Sequence, residues 1–150
     1  MEINKTTLEQ FTTDVCDSML GLNINPVAAD KAPEETCIVG SVDISGEWEA
    51  GVDVYVPEEL GREIAANMFM MSDDELDDAE VLDAIGEVAN MIGGNIKGCF
   101  NGECNLTIPV VERKSIAEDS SNPEFRIDAI FECNGKPFFV RMVAANKVAG

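Results

Sequence analysis

The sequence predicts an α+β domain in which helices pack on one mainly antiparallel sheet. Apolar residues recur at helical spacing near the N-terminus and again between residues 58 and 97. The intervening and following segments alternate apolar and polar residues, and tight-turn signals join them without crossover helices. The element order read along the chain is helix, two strands, two helices, three strands.

The first helix runs from Thr7 to Gly21, with Leu8, Phe11, Val15, Met19 and Leu20 on one face and Gly21 as its stop. The stretch from Asn25 to Pro33 reads as loop. Ile38, Gly40, Val42 and Ile44 then alternate with Val39, Ser41 and Asp43, as a half-buried strand does. Ser45-Gly46 turns the chain into a second strand with Trp48, Ala50, Val52, Val54 and Val56 on one face. Pro57 suits a first helical position, and Glu58 and Glu59 suit the positive end of the dipole. Leu60, Ile64 and Met68 line that helix. Ser72-Asp73-Asp74-Glu75 matches a capping box and is expected to open the next helix, which ends near Lys97-Gly98. Leu106 to Val110 forms a strand in which Pro109 marks an edge or bulge, and Glu112 to Pro123 a polar loop. Phe125 to Cys133 and Phe138 to Met142 pair through Asn134-Gly135, a type I′ hairpin signal.

Composition bounds the function. A chain of 150 residues with 45% apolar and 26% charged residues fits a single folded domain over 1–150. No run approaches the ~20 apolar residues that span a bilayer. Met1 to Lys5 lacks the pattern of a signal peptide, so the expected location is the cytoplasm. With 29 acidic and 10 basic residues the net charge is −19, which disfavours nucleic acid and anionic membrane as partners and favours one presenting a basic group. There is no Gly-rich phosphate loop. The five cysteines form no Cys-x-x-Cys pair and there is no histidine, so reduced, structural thiols are expected rather than a zinc site.

Chemistry concentrates on the helix from Val81 to Lys97. At 100° per residue, Val81, Ile85, Val88, Ala89, Ile92 and Ile96 face the core, and Asp83, Glu87, Asn90, Gly94 and Lys97 form a polar stripe opposite. Such a stripe on spacing alone is also what any solvated helix face presents. Two details set this one apart. Asn90 is a poor helix-interior residue, and Gly86, Gly93 and Gly94 each cost about 0.8–1.0 kcal/mol against alanine. Small residues beside the stripe are read as keeping it low for the approach of another protein.

The run from Asp83 through Glu87 and Asn90 to Lys97 resembles the active helix of the CheC, CheX and FliY phosphatases, whose motif is Asp or Ser, three residues, Glu, two residues, Asn. Ile44-Ser45-Gly46 and Val56 to Leu60 are similar to CheX, and the likeness in element order covers roughly residues 4 to 145. The resemblance implies a CheC-like fold and hydrolysis of the phosphoaspartate of a CheY-type response regulator in chemotaxis. It implies that Asn90 orients the attacking water, that Glu87 binds the regulator's active-site lysine, and that Asp83, Gly94 and Lys97 belong to the docking face. The chain would need no cofactor or metal of its own, because Mg2+ comes with the phosphorylated regulator. CheX relatives form dimers, so a homodimer is expected, with Pro109 or the terminal hairpin bounding the pairing edge. Pro109 is also the counterpart of the proline that follows the motif in this family.

Ser18-Met19-Leu20-Gly21 faintly repeats Asn90 to Gly93, which sets Val15 opposite Glu87 and Phe11 opposite Asp83. The first helix then lacks both polar positions, and one active site per chain follows. Two rival readings remain: a non-catalytic module that binds a regulator or motor switch, and a divalent-cation site among the acids from Ser72 to Glu80. Capping and the helix dipole already account for those acids, which also lack EF-hand spacing.

Overall fold

The computed structural model describes residues 4–18, 21–27, 35–99, 103–119 and 121–144. The anticipated elements appear in the anticipated order, with a short strand added after the first helix and the expected Leu106–Val110 strand divided in two: helices α1 (Lys5–Ser18), α2 (Glu58–Phe69) and α3 (Asp78–Lys97) and strands β1 (Ile24–Pro26), β2 (Cys37–Gly46), β3 (Ala50–Pro57), β4 (Cys104–Leu106), β5 (Val110–Lys114), β6 (Arg126–Cys133) and β7 (Lys136–Ala144). All pairs are antiparallel, in the sheet order β1-β6-β7-β3-β2, and β4 and β5 follow one another along the outer side of β2.

The three helices cover one face of the sheet. Ile38, Val42 and Ile44 from β2 and Val52, Val54 and Val56 from β3 meet Ile64, Val81, Ile85, Val88 and Ile92 in the main core. The opposite face is not simply solvated. Cys37, Val39, Tyr55, Ile130 and Phe139 form a second buried cluster, packed by Val27 and Ile116. Strand β2 is therefore buried on both faces near Cys37 and Val39, not half-buried as its alternation suggested. In this second layer Arg141 binds Asp128 through Nε at 2.7 Å and Asp119 through Nη1 at 2.9 Å.

Several boundaries differ from the sequence reading. β1 lies inside the expected Asn25–Pro33 loop, where Ile24 pairs with Cys133; residues 28–33 lie outside the described ones. Met19 and Leu20 also lie outside, so their part in helix α1 and in the internal repeat is not described. Trp48 belongs to the β2–β3 connection rather than to β3, and Pro57 is the N-cap of α2 and the last residue of β3, not a first helical residue. Ser72 and Glu75 close a capping box around a separate 3-10 turn, Asp73–Glu75. A buried, extended Leu76 interrupts the helix there, and a second box, Asp77 with Glu80, starts α3. Pro109 splits the expected Leu106–Val110 strand, and β5 occupies the first part of the expected loop after Glu112. Asn134 (φ 52°) and Gly135 (φ 76°) form the predicted turn.

Candidate functional site

Helix α3 starts from a satisfied N-terminus: the Glu80 backbone N–H donates to Asp77 Oδ1 at 2.8 Å and the Asp77 N–H to Glu80 Oε1 at 3.2 Å. Its apolar side fixes its rotation. Val81, Ile85, Val88, Ala89, Ile92 and Ile96 are all buried, as the periodicity requires. The opposite side then carries Asp83 and Glu87, both exposed, and Asn90, Gly94 and Lys97, all half-buried. The stripe is about 21 Å long at 1.5 Å per residue, with the Glu87 and Asn90 backbones about one turn apart. Among the described residues no hydrogen bond or ion pair engages the side chains of Asp83, Glu87, Asn90 or Lys97. A carboxylate and a carboxamide thus stand side by side with their polar groups uncommitted, on a helix held rigidly from below.

The glycines serve a different purpose from the one their positions suggested. A Cβ at Gly93 would lie 2.6 Å from Val42 Cγ2, and one at Gly86 would lie 3.1 Å from Val111 Cγ2 and 3.5 Å from Pro109 Cβ. These two residues are buried and let α3 settle onto its own sheet. Gly94 alone has open space where a side chain would be, so it alone keeps the stripe low. Pro109 sits beside α3 at Gly86, one residue before Glu87.

The acids from Ser72 to Glu80 are committed elsewhere. Asp73 pairs with Arg62 at 2.8 Å, Glu75 and Asp77 cap, and Asp78 binds Arg113. The hydrogen bond from Arg113 holds the Asp78 carboxyl below the usual range. Among the described residues no group of three or more acids and cysteines is arranged to hold a metal ion. Burial pushes the Cys16 thiol up to about 12 and Cys37 to about 11, so neither is a thiolate nucleophile at neutral pH. All five cysteines are free. No helix among the described residues is long and apolar enough to cross a membrane.

Sequence reasoning missed Arg113, which joins β5 to the starts of both α2 and α3 by binding Glu58 at 2.7 Å as well as Asp78. Its partners lie 55 and 35 residues away, and no local pattern announces such a pairing. It also missed that Ile108 and Val110 are exposed.

The family model of the chemotaxis phosphatase CheX matches residues 38–128, a span that contains β2, β3, α2 and the whole of α3. No curated protein sequence matches the chain. A chain of the CheX–CheY–BeF3–Mg2+ complex from Borrelia burgdorferi superposes with a TM-score of 0.75 at 18% identity, over 93% of this chain and 96% of that one. The chemotaxis protein CheX of Vibrio vulnificus gives 0.72 at 20% identity, over 91% and 95%. FliY of Thermotoga maritima gives 0.61 at 21%, over 94% and 85%. At such identities the likeness is one of fold, and the family match rests on the sequence of residues 38–128. The chain belongs to the CheX family.

Proposed function

We propose that this protein is a phosphatase that hydrolyses the phosphoaspartate of a CheY-type response regulator in chemotaxis signalling. The observation that carries this reading is the uncommitted pair Glu87 and Asn90, one turn apart on the exposed side of α3. In-line attack of water on the phosphorus breaks the bond to the aspartate oxygen and releases phosphate and a free carboxylate. That reaction asks for a positioned water and fixed polar groups rather than a protein nucleophile. Asn90 inserts its amide beside the phosphoryl group and orients the water. Glu87 pairs with the regulator's lysine and sets the register, and Asp83, Gly94 and Lys97 complete the docking face. Mg2+ arrives with the regulator, in keeping with the components of the Borrelia burgdorferi complex. The chain carries no cofactor or metal of its own in this scheme, and the reaction runs in the cytoplasm, where such regulators work.

On the same footing we infer a homodimer. Pro109 or the terminal hairpin bounds its pairing edge in this reading; β1 pairs with Phe131–Cys133 of β6 only. Sedimentation across a concentration series tests the dimer.

The decisive experiment is time-resolved phosphate release from phosphorylated regulators of the same organism. Asn90→Ala is expected to leave the fold intact and to lower kcat by ~10²–10³, the usual effect of removing one preorganised polar group. Glu87→Ala raises KM more than it lowers kcat. Asn95→Ala, an exposed amide of the same helix outside the stripe, is the neutral control. Wild-type turnover by Asn90→Ala sinks the mechanism. Tight binding without turnover by the wild type would leave a binding module of the same fold.

A further inference from the structure

We propose that Lys97 sets the direction in which the regulator docks: its ammonium pairs with a carboxylate on the regulator's surface two helical turns from the phosphoaspartate. The regulator's face then runs from basic to acidic along α3. This deepens the phosphatase reading above and rests on it.

Bases are scarce here, 10 against 29 acids. Arg62, Arg113, Lys114, Lys136 and Arg141 each pair with at least one carboxylate. Lys97 pairs with no acid among the described residues, although its side of α3 also carries Asp83 and Glu87. Those two acids are four residues apart on the exposed side, where like charges repel. At 1.5 Å per residue, Asp83 and Lys97 stand about 21 Å apart with Asn90 midway. The separation is too great for the stripe to neutralise itself. It is negative in its first half, neutral at Asn90 and Gly94, and positive at its end. A cation in the last turn also suits the negative end of the helix dipole. That accounts for a base in this turn but not for its alignment with Asn90, seven residues back on the same side.

A partner's charges must match this order. Glu87, in the reading above, takes the regulator's lysine, so the base lies towards Asp83 and an acid is left to lie opposite Lys97. About 10 Å along the axis separates Lys97 from Asn90, more than a lysine side chain spans. Its counterpart therefore belongs to the regulator's surface and not to the reacting group. Reversing the regulator on the stripe sets acid on acid and base on base, which is how an ion pair at the edge of a docking face selects orientation and partner. A second copy laid antiparallel would match these charges too, but it would cover Asn90 and bring two chains of net −19 together.

The test is the KM and kcat of Lys97→Glu in the full chain, with a regulator phosphorylated by acetyl phosphate. KM should rise about three- to tenfold at low salt, with kcat within about twofold of wild type, because the reversal removes a docking pair and adds a repulsion without touching the chemical step. The rise should shrink as ionic strength goes from about 0.02 to about 0.5 M. Lys114→Glu changes net charge equally on the opposite face of the sheet, where Lys114 stands opposite Cys37, and should leave KM unchanged. One acid-to-lysine substitution on the regulator should restore the affinity of Lys97→Glu, measured with the beryllofluoride-loaded regulator in an Asn90→Ala background. Equal effects of Lys97→Glu and Lys114→Glu, or no rescue by any exposed acid of the regulator, overturn the pairing. A fall in kcat at constant KM overturns it in favour of a contact with the phosphoryl group. A lowered unfolding temperature with unchanged KM leaves only the dipole role, and loss of a wild-type dimer with unchanged KM assigns Lys97 to a second copy; both overturn it. If the wild type itself releases no phosphate, the phosphatase reading is what fails, and the titration still reports the pairing.

Discussion

At the scale of single residues, the two neighbouring glycines of α3 make opposite demands. In an isolated helix either Gly→Ala change is favourable by about 0.8–1.0 kcal/mol. Gly93→Ala places a methyl 2.6 Å from Val42 Cγ2, inside contact distance, so the helix must lift from β2. Overpacking of this kind costs about 1–3 kcal/mol, more than the propensity gain, and the variant should be less stable than wild type. Gly94→Ala meets open space and should be more stable by up to about 1 kcal/mol. Denaturant unfolding of the two variants tests the contrast. The same substitution at Gly94 adds a methyl to the proposed docking stripe, so a stability gain paired with weaker regulator binding is the signature expected under that proposal. Spacing sets Gly94 on the polar stripe but does not say what Gly93 meets. Their difference arises because one points at a strand that is far away in sequence.

At the scale of elements, the segment after β5 is held over the second face of the sheet by a buried ion cluster. Arg141 is 6% exposed in its side chain and Asp119 12%, and the guanidinium also grips Asp128 on the neighbouring strand. Burial by itself would raise the Asp119 carboxyl. The Ser121 backbone N–H and the Arg141 guanidinium outweigh that and hold it at about 2. A carboxylate whose folded value lies below its ordinary value of about 3.9 stabilises the fold fully above that value and loses the contribution as pH falls towards the folded value. Asp119→Asn should therefore cost about 2–3 kcal/mol near pH 7, since it removes one of the two carboxylates that hold the buried guanidinium. That cost should shrink as pH falls from about 4 to about 2. Unfolding titrations of both proteins across this range test the claim, and a pH-independent cost refutes the linkage. Asp53 lies next to Arg141 across the β3–β7 pair and is raised by burial, so its own contribution runs the other way and weakens the fold as pH rises.

At the scale of the whole molecule, net charge governs what the surface meets. At −19 the protein should show no binding to duplex DNA or to anionic vesicles at physiological salt, by gel shift and by flotation. Tight binding in either assay would overturn the view of a surface built for basic partners. Charge is legible in the sequence because it is a sum, and α3 was legible for a related reason. Twenty residues of helix carry enough periods to fix which side is buried, so Ile85 and Ile92 fell inside and Glu87 and Asn90 fell on the outer side without knowledge of any partner strand. The Asn134-Gly135 hairpin was equally local, because two adjacent residues both at positive φ define it. The features that stayed hidden depend on distant pairs. β1 is three residues long and exists only because β6 offers it an edge. The second buried face exists because Ile116 and Val27 return to cover Val39 and Phe139. Ser72 and Asp77 both head capping boxes, and burial of Leu76 decided which one starts α3. The sequence by itself thus determined the charge, the periodic faces and the local turns, which depend on neighbours in the chain. Only the tertiary structure decided that Gly86 and Gly93 serve packing, that Arg113 joins β5 to two helices, and that Val39 is covered on the second face of the sheet, because each depends on which distant surface folds against it.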